Sequence, residues 1–291
     1  KIIVYMGDDE RGEYLYKYVS NESMNEVKDK STLLSNGNLY VAKFNDNFTG
    51  EWLLLDTQTT GLSSKAEVCI FTRLAASKVG ATTMDRPEWI ASNPKKNEVC
   101  CCLTNNKNRG IKTNKGGDKV DVDKVNPRKN NKYGQIVRWS PQDNNHSSVY
   151  FEWDLFVVAG NPNVHDDNNK GSKNINEDNM FNSPDGLKFD KYGRLWIQTD
   201  GNYSNSGDFK GMGNNQMLIA DTNTGKIKRF MVGPKECEVT GLTFAPDYKT
   251  VFVGIQHPGE RLGSNFPDKG NNKPRSCIIA IQKKDGSEIL T

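Results

Sequence analysis

Short apolar runs, separated by turn signals, recur along most of the chain. Clusters of Gly, Asn, Asp and Pro interrupt them at intervals of roughly 8–12 residues, the spacing expected of strands in an all-β domain. Examples are GEYLYKYVS (12–20), GNLYVAKFN (37–45), GQIVRWSP (134–141), VYFEWDLFVVAG (149–160) and SCIIAIQ (276–282). In NNQMLIADTNTGKIKRFMVG (214–233), two runs flank an Asp-Thr-Asn-Thr-Gly turn, which predicts a β-hairpin. The pattern therefore predicts an all-β protein.

One segment, SSKAEVCIFTRLAASKVG (63–80), has the spacing of a helix instead. Four of its apolar residues fall roughly on one helical face: Ala66, Ile70, Leu74 and Val79. Gly80 follows at a position suited to a helix C-terminus. We therefore predict one short helix with these apolar residues on one face.

Three stretches repeat one pattern: a polar opening, a short apolar strand, a turn, and a second apolar strand that ends on polar residues. They begin at Arg86, Ser183 and Glu238. The opening segment KIIVYMGDDE resembles the second strand of a fourth unit, so we expect the first strand of that unit to precede Lys1. In this alignment Asp8 takes the position that Asp200 has in its own unit.

Four units of about four strands each favour a β-propeller. A sandwich or a barrel is the competing all-β arrangement. In a propeller, the first strand of each blade lines a central channel, and loops from different blades meet at its mouths. We therefore predict one partial propeller domain over residues 1–291. Two polar insertions, 106–132 and 161–179, are predicted to be exposed loops.

Composition narrows the possible functions. The net charge of +3 argues against a nucleic-acid partner, and no apolar run reaches the length of a transmembrane helix. The chain has neither an initiator Met nor a signal peptide, so we expect a mature or truncated piece of a longer protein. The six cysteines include no Cys-x-x-Cys pair. Three of them, at 100–102, are expected to be small buried residues of a strand.

Acidic residues at the repeated positions are the candidate metal ligands. Arg86-Pro87-Glu88 aligns with Ser183-Pro184-Asp185, so Glu88 and Asp185 occupy equivalent positions after a proline. Proline is expected to keep the preceding residue extended, which would aim each carboxylate at the channel mouth.

Three further acids, Asp8, Asp200 and Glu238, are expected at the same mouth. Carboxylates gathered in this way repel one another, and their pKa values rise unless a cation is shared between them. Oxygen ligands suit Ca²⁺ or Fe³⁺ better than copper or zinc. The residues alone therefore predict a site for a hard cation.

Arg86 adds a second kind of chemistry, since a guanidinium beside a metal cluster can bind a phosphate through two parallel hydrogen bonds. A purely structural alternative is an ion pair of Arg86 with Asp85 or Glu88.

For several residues a purely structural role is an alternative to metal binding. Asp185 and Asp200 each precede a glycine and could be turn residues. His257 could be a metal ligand, a proton carrier or part of the polar surface. The run DKVDVDK (118–124) matches part of a calcium loop but lacks its full spacing, so we expect a solvated charge run.

Seven motifs, in this order, resemble those of the PhoX-type alkaline phosphatases over about residues 1–282. They are YMGDDERGEYLYKYVS, TRLAASKVGATTMDRPEWIA, NPRKNNKYGQIVRW, NSPDGLKFDKYGRLWIQTDG, GNNQMLIADTNTGKIKRF, KECEVTGLTFAPD and IQHPGE. The resemblance implies a six-bladed propeller that hydrolyses phosphate monoesters at a mixed iron–calcium cluster. It also implies export to the periplasm or the cell exterior.

By this resemblance Glu88 is a metal ligand and Arg86 binds phosphate, with Asp185 as the next ligand. Asp8, Asp200 and Glu238 rest mainly on the repeat. Two further blades, which in the family carry more ligands including a cysteine, are expected before Lys1. We predict a monomer that acts on small phosphate esters. The alternatives are a calcium-dependent lactonase and a non-catalytic propeller that binds a partner.

Overall fold

A computed structural model describes residues 1–289 of the chain, and in this range it contains fifteen β-strands and three short α-helices. The strands are β1 (Ile3–Gly7), β2 (Leu15–Ser20), β3 (Gly37–Phe44), β4 (Thr49–Leu55), β5 (Pro87–Ser92), β6 (Val99–Leu103), β7 (Gln135–Pro141), β8 (Tyr150–Val158), β9 (Pro184–Phe189), β10 (Arg194–Thr199), β11 (Gln216–Asp221), β12 (Ile227–Val232), β13 (Glu238–Phe244), β14 (Thr250–Gln256) and β15 (Cys277–Gln282). The helices are α1 (Thr57–Thr60), α2 (Lys65–Ile70) and α3 (Thr72–Lys78). Short 3-10 turns cover Lys30–Leu34, Gln142–Asn144, Asn168–Lys170 and Gly207–Phe209.

The chain divides into two compact units. The first unit comprises residues 1–132 and 136–155, and the second comprises residues 133–135 and the chain from 156 onwards. The single domain expected over 1–291 stays a prediction, and its last two residues lie outside the described range.

Consecutive strands form the sheets, as the repeat predicted. One sheet has the order β1-β2-β3-β4-β8-β7-β6-β5, in which two runs of four strands are joined where Thr49–Glu51 pairs with residues 150–152. In the second unit, β9 to β12 form a four-stranded sheet and β13 to β15 a three-stranded one. Four such sets of strands are the blades of a β-propeller. The predicted all-β propeller fold with about four visible blades is therefore confirmed.

Tryptophans and the β6 cysteines form much of the core of the first unit. Trp52 and Trp139 are 3% and 1% exposed, and all three cysteines at 100–102 are fully buried. The expectation that these cysteines are small buried residues is confirmed. Burial also raises the pKa of the Cys100 and Cys101 thiols, because a thiolate would be poorly solvated there.

The predicted helix is divided into two short helices, α2 and α3. Phe71, with a ψ of 45°, separates α2 from α3, and Gly80 follows with a φ of 73°. Ile70 and Leu74, two of the residues expected on one apolar face, are 73% and 49% exposed. The buried residues are Val68 on α2 and Ala75 and Ala76 on α3. The prediction of a single apolar face was wrong. Ala66 and Ile70 before the break and Leu74 after it are exposed, because each short helix buries other residues against the rest of the unit.

The polar segment 106–132 was expected to be an exposed loop, and this was only partly correct. It contains no strand, yet Arg109, Asn126 and Asn131 are 0% exposed. Arg109 Nε donates to the carboxylate of Asp85 at 2.7 Å, and Asn131 Nδ2 donates to the same carboxylate at 2.8 Å. These long polar side chains are buried because they satisfy the charge and backbone groups just before β5.

The run 118–124 inside this segment is not a simple solvated stretch either. Asp118 accepts hydrogen bonds from the hydroxyls of Tyr14 at 2.9 Å and Ser77 at 2.6 Å. Asp123 caps the backbone N–H of Asn126 at 2.7 Å. The second insertion, 161–179, is mostly exposed or half-buried, as expected.

Within residues 1–289, none of the helices combines the length and the hydrophobicity that crossing a bilayer requires.

Candidate functional site

In three of the blades, a residue just before the first strand has the same unusual backbone conformation. Arg86, Ser183 and Glu236 have φ values of 57°, 50° and 60°, in the left-handed region that favours glycine. The residue two positions further on is acidic in each case: Glu88, Asp185 and Glu238. The expectation that proline keeps its predecessor extended was therefore wrong at positions 86 and 183. Repeated strain of this kind is typical of functional sites.

Backbone hydrogen bonds hold this turn in two of the blades. The carbonyl of Arg86 accepts from the Thr104 N–H at 3.1 Å, and the carbonyl of Ser183 accepts from the Asp200 N–H at 3.1 Å. Thr104 and Asp200 each come directly after the second strand of their blade. The blades of both units therefore share one local geometry at this position, as the sequence repeat suggested.

Asp185 lies within strand β9 and is not a turn residue. It is 7% exposed, and the following Gly186 packs against Gln198, whose side chain would lie 2.5 Å from a Cβ at position 186. The glycine is therefore needed for close approach of β10, and the Pro-Asp-Gly turn interpretation was wrong. Glu88 occupies the matching place in β5 and is half-buried.

Arg86 is ion-paired, but with a residue that the sequence did not indicate. Its Nε lies 2.8 Å from Asp9 Oδ1, and its Nη2 donates to Asp9 Oδ2 at 2.9 Å. Its Nη1 donates more weakly to Asn105 Oδ1 at 3.4 Å. Of the two alternative partners, Asp85 and Glu88, Asp85 instead binds Arg109 in a pair whose side chains are both 0% exposed.

Asp8 precedes Asp9 in the chain and is ion-paired with a different arginine, Arg73. Arg73 Nε and Nη2 donate to its two carboxylate oxygens at 2.7 and 2.6 Å. The same guanidinium is 3.7 Å from the buried carboxylate of Glu13, whose pKa burial raises to about 7. Asp8 as a metal ligand therefore remains a prediction.

In the second unit, Asp200, Glu238 and His257 come together. One ligand atom from each lies within 4.8 Å of the others. Glu238 opens β13 and pairs in register with Gln256, the last residue of β14, so that His257 follows directly beside it. Glu238 Oε2 accepts from Gln256 Nε2 at 2.7 Å and lies 3.6 Å from His257 Nε2.

The electrostatics of this group match the repulsion expected from gathered acids. Burial and then the neighbouring Asp200 carboxylate raise the pKa of Glu238. A bound cation would relieve this cost. Two carboxylates and one imidazole fit such a cation, and the imidazole favours a transition metal over calcium. Among residues 1–289, this is the one group of three or more acidic, cysteine or histidine residues with ligand atoms so close together.

His257 is the member that sequence reasoning left open. Its φ is 38°, its backbone N–H donates to Ser276 Oγ at 2.8 Å, and its Nδ1 is buried without a hydrogen-bond partner among the described residues. The signal was present in the repeat, because His257 follows its second strand as Asp200 follows β10. Asp9 gave no such signal, since it lies outside the repeated positions.

Comparison with known proteins identifies the family. The family model "Alkaline phosphatase PhoX" matches residues 1–259. The solved structure of Pseudomonas fluorescens PhoX, in complex with the transition-state analogue vanadate, is 54% identical with a TM-score of 0.91. That match covers 99% of this chain and 52% of the other, so this chain spans about half the length of that relative.

More distant structures are similar only weakly. The luciferin-regenerating enzyme matches at 9% identity over 97% of this chain and 62% of its own, with a TM-score of 0.37. The gluconolactonase XC5397 of Xanthomonas campestris matches at 11% identity over 84% and 51%, with a TM-score of 0.32. Among curated proteins, no sequence matched significantly. The family model and the 54% identity agree: the chain belongs to the PhoX family of alkaline phosphatases.

Proposed function

We propose that the protein to which this chain belongs hydrolyses phosphate monoesters and releases inorganic phosphate in a metal-dependent reaction. One observation carries the proposal. The chain is 54% identical, over 99% of its length, to a PhoX that was solved with vanadate as a transition-state analogue. Vanadate resembles a phosphoryl group in transfer, so that relative binds the kind of group that a phosphatase must stabilise.

Arg86 is the proposed phosphate-binding residue. Its guanidinium can form two parallel hydrogen bonds to phosphate oxygens and offset the negative charge that builds up as the phosphoryl group transfers. Two features support this role: the arginine is partly exposed, with 21% of its side chain accessible, and it sits in the strained turn at the start of β5.

The proposed metal ligands are the acids of the repeat, joined by one histidine. They are Glu88, Asp185, Asp8, Asp200 and Glu238, with His257 added from its place beside Glu238. Bound metal would supply charge neutralisation and an activated oxygen nucleophile. Calcium and iron are the proposed ions, and the imidazole of His257 supports iron at the Asp200–Glu238–His257 group.

The protein is proposed to act in the periplasm or outside the cell, on small phosphate esters, as a monomer. This setting agrees with the family and with the export implied by the sequence resemblance.

The first test is the activity of the whole protein on a chromogenic phosphate ester and on a lactone, with one purified sample. We expect turnover of the ester and none of the lactone. Arg86→Ala should lower the phosphatase rate by about 10²–10³, as removal of one such donor typically does, while the metal content stays unchanged.

A matched control is Arg275→Ala, which removes an exposed arginine that is paired with Asp268. This variant should keep the parental rate. Normal ester turnover by Arg86→Ala, or hydrolysis of the lactone alone, would contradict the proposed function. Elemental analysis of the same samples separates a metal enzyme from a non-catalytic binding propeller, which would hold no iron or calcium after dialysis.

A further inference from the structure

Asp9 occupies one of the two edges through which the Arg86 guanidinium can bind a phosphate. The Asp9 carboxylate faces Nε and Nη2 of the guanidinium at 2.8 and 2.9 Å. This side-on arrangement, with two parallel hydrogen bonds, is the geometry in which arginine binds both carboxylate and phosphate. An incoming phosphate that binds this edge requires the same pair of donors as Asp9.

Three consecutive acidic residues in the turn after β1 are each ion-paired with a different basic side chain. Asp8 binds Arg73 through both oxygens. Glu10 is 2.5 Å from Lys115 and 3.4 Å from Arg11. Asp9 differs from both neighbours, because its cation is the residue proposed to bind the substrate.

The Asp9–Arg86 pair is also placed where it can open. The Asp9 side chain is 38% exposed and that of Arg86 21%. Arg86 is the one side-chain partner of Asp9 in the part of the chain that the structure describes. Exposed pairs of this kind are weak, so a ligand with a greater negative charge can displace the carboxylate.

We propose that Asp9 competes with phosphate for Arg86 and thereby lowers the affinity of the site for the inorganic phosphate product. This inference rests on the proposed function of Arg86. A weak internal competitor leaves the guanidinium correctly paired when the site is empty, and it helps the product to leave after hydrolysis. Because an exposed ion pair contributes at most about 1 kcal/mol, the effect on phosphate affinity should be about twofold to fivefold.

The direction in which phosphate affinity changes in the Asp9→Asn variant tests this proposal. Asn keeps the size of the side chain but not its charge, so inorganic phosphate should bind about twofold to fivefold more tightly. Calorimetry with inorganic phosphate measures this directly on the metal-loaded whole protein, and the product-inhibition constant should fall by the same factor. If Asp9 only orients Arg86, phosphate binding weakens or stays the same, which would overturn the proposal.

Two controls make the result specific. Glu10→Gln removes a negative charge from the neighbouring residue without touching Arg86, and it should change phosphate affinity less than twofold. An equal tightening in Glu10→Gln would show a general charge effect and overturn the proposal. In an Arg86→Ala background, Asp9→Asn should no longer change phosphate binding, whereas an unchanged effect there would also contradict competition at Arg86.

Failure of the proposed function gives a different pattern. If the parent protein hydrolyses no phosphate ester, the enzymatic assignment fails, while calorimetry with inorganic phosphate still reports whether Asp9 and the anion compete for Arg86.

Discussion

At the scale of one residue, Glu238 is a buried carboxylate whose ionised form a bound cation would stabilise. The carboxylate is largely buried, and the charge of Asp200 disfavours its ionised form. An imidazole nitrogen of His257 lies at the same place, 3.6 Å from the Glu238 carboxylate. Without a cation, the ionised form of Glu238 destabilises the folded chain, and the proposed role of Glu238 as a metal ligand would remove this cost.

Glu238→Gln should therefore lower the amount of metal that the protein retains, because the amide is a poorer ligand for a hard cation. In metal-free protein the same variant should melt at a higher temperature than the parent, since the repulsion with Asp200 is gone. Elemental analysis and thermal melting with and without a chelator measure both effects. Glu260→Gln, an exposed acid, is the control. Unchanged metal content in Glu238→Gln would remove this residue from the ligand set.

The sequence predicted some residues of the candidate site and missed others, depending on whether they belong to the repeated pattern. Asp200 and Glu238 were predicted from the repeat, and the structure brings them together. His257 was left among three interpretations, because a single histidine in a loop is not specific. Asp9 was missed, since its pairing with Arg86 joins residues 77 positions apart and follows no local pattern.

The segment 106–132 shows, at the scale of an element, that polar composition does not imply exposure. Arg109 donates to Asp85, to Thr83 Oγ1 and the Thr83 carbonyl, and to the Asp121 carbonyl. The segment thereby fixes the chain just before Arg86. Sequence reasoning took the Asn and Lys content as a mark of a surface loop. It could not detect that single polar side chains are buried by long-range hydrogen bonds.

Arg109→Ala should destabilise the protein by about 3–5 kcal/mol, because it leaves the Asp85 carboxylate buried without its cation. Urea denaturation measures the change. Lys112→Ala, at an exposed position of the same segment, should change the free energy of unfolding by less than about 0.5 kcal/mol. Equal stability of Arg109→Ala and the parent would mean that Asp85 is satisfied by other groups alone.

The stability of the molecule as a whole should depend on pH through one buried lysine. Lys17 on β2 is 0% exposed. Its Nζ donates to the Ser148 carbonyl at 2.6 Å and lies 4.8 Å from the centre of the Trp52 ring. Burial lowers its pKa from 10.5 to about 7. Between these two pH values the unfolded chain binds the additional proton, so stability should rise with pH across this window.

The rise should reach at most about 5 kcal/mol between pH 7 and pH 10.5, from the size of the pKa shift. Lys17→Met keeps an unbranched apolar chain and removes the proton, so this part of the pH dependence should disappear. Chemical denaturation of both proteins at several pH values tests it. The same slope in parent and variant would show that other groups cause the dependence.

The fold and the family were the most predictable features of the molecule. The strand runs and the three repeated stretches were enough for the all-β propeller, because periodic burial is encoded locally in every blade. The helical segment was predicted less well, since the break at Phe71 depends on how α2 and α3 pack. Element type was therefore more predictable than the direction of individual side chains.

The left-handed turn at positions 86, 183 and 236 has a consequence for how such a protein can diversify. The same backbone conformation carries a cation, a hydroxyl and an anion at these three positions, and at the first two a main-chain hydrogen bond maintains it. Neither bond requires a particular side chain. The side chain at this position can therefore differ between blades while the main-chain hydrogen bond is kept.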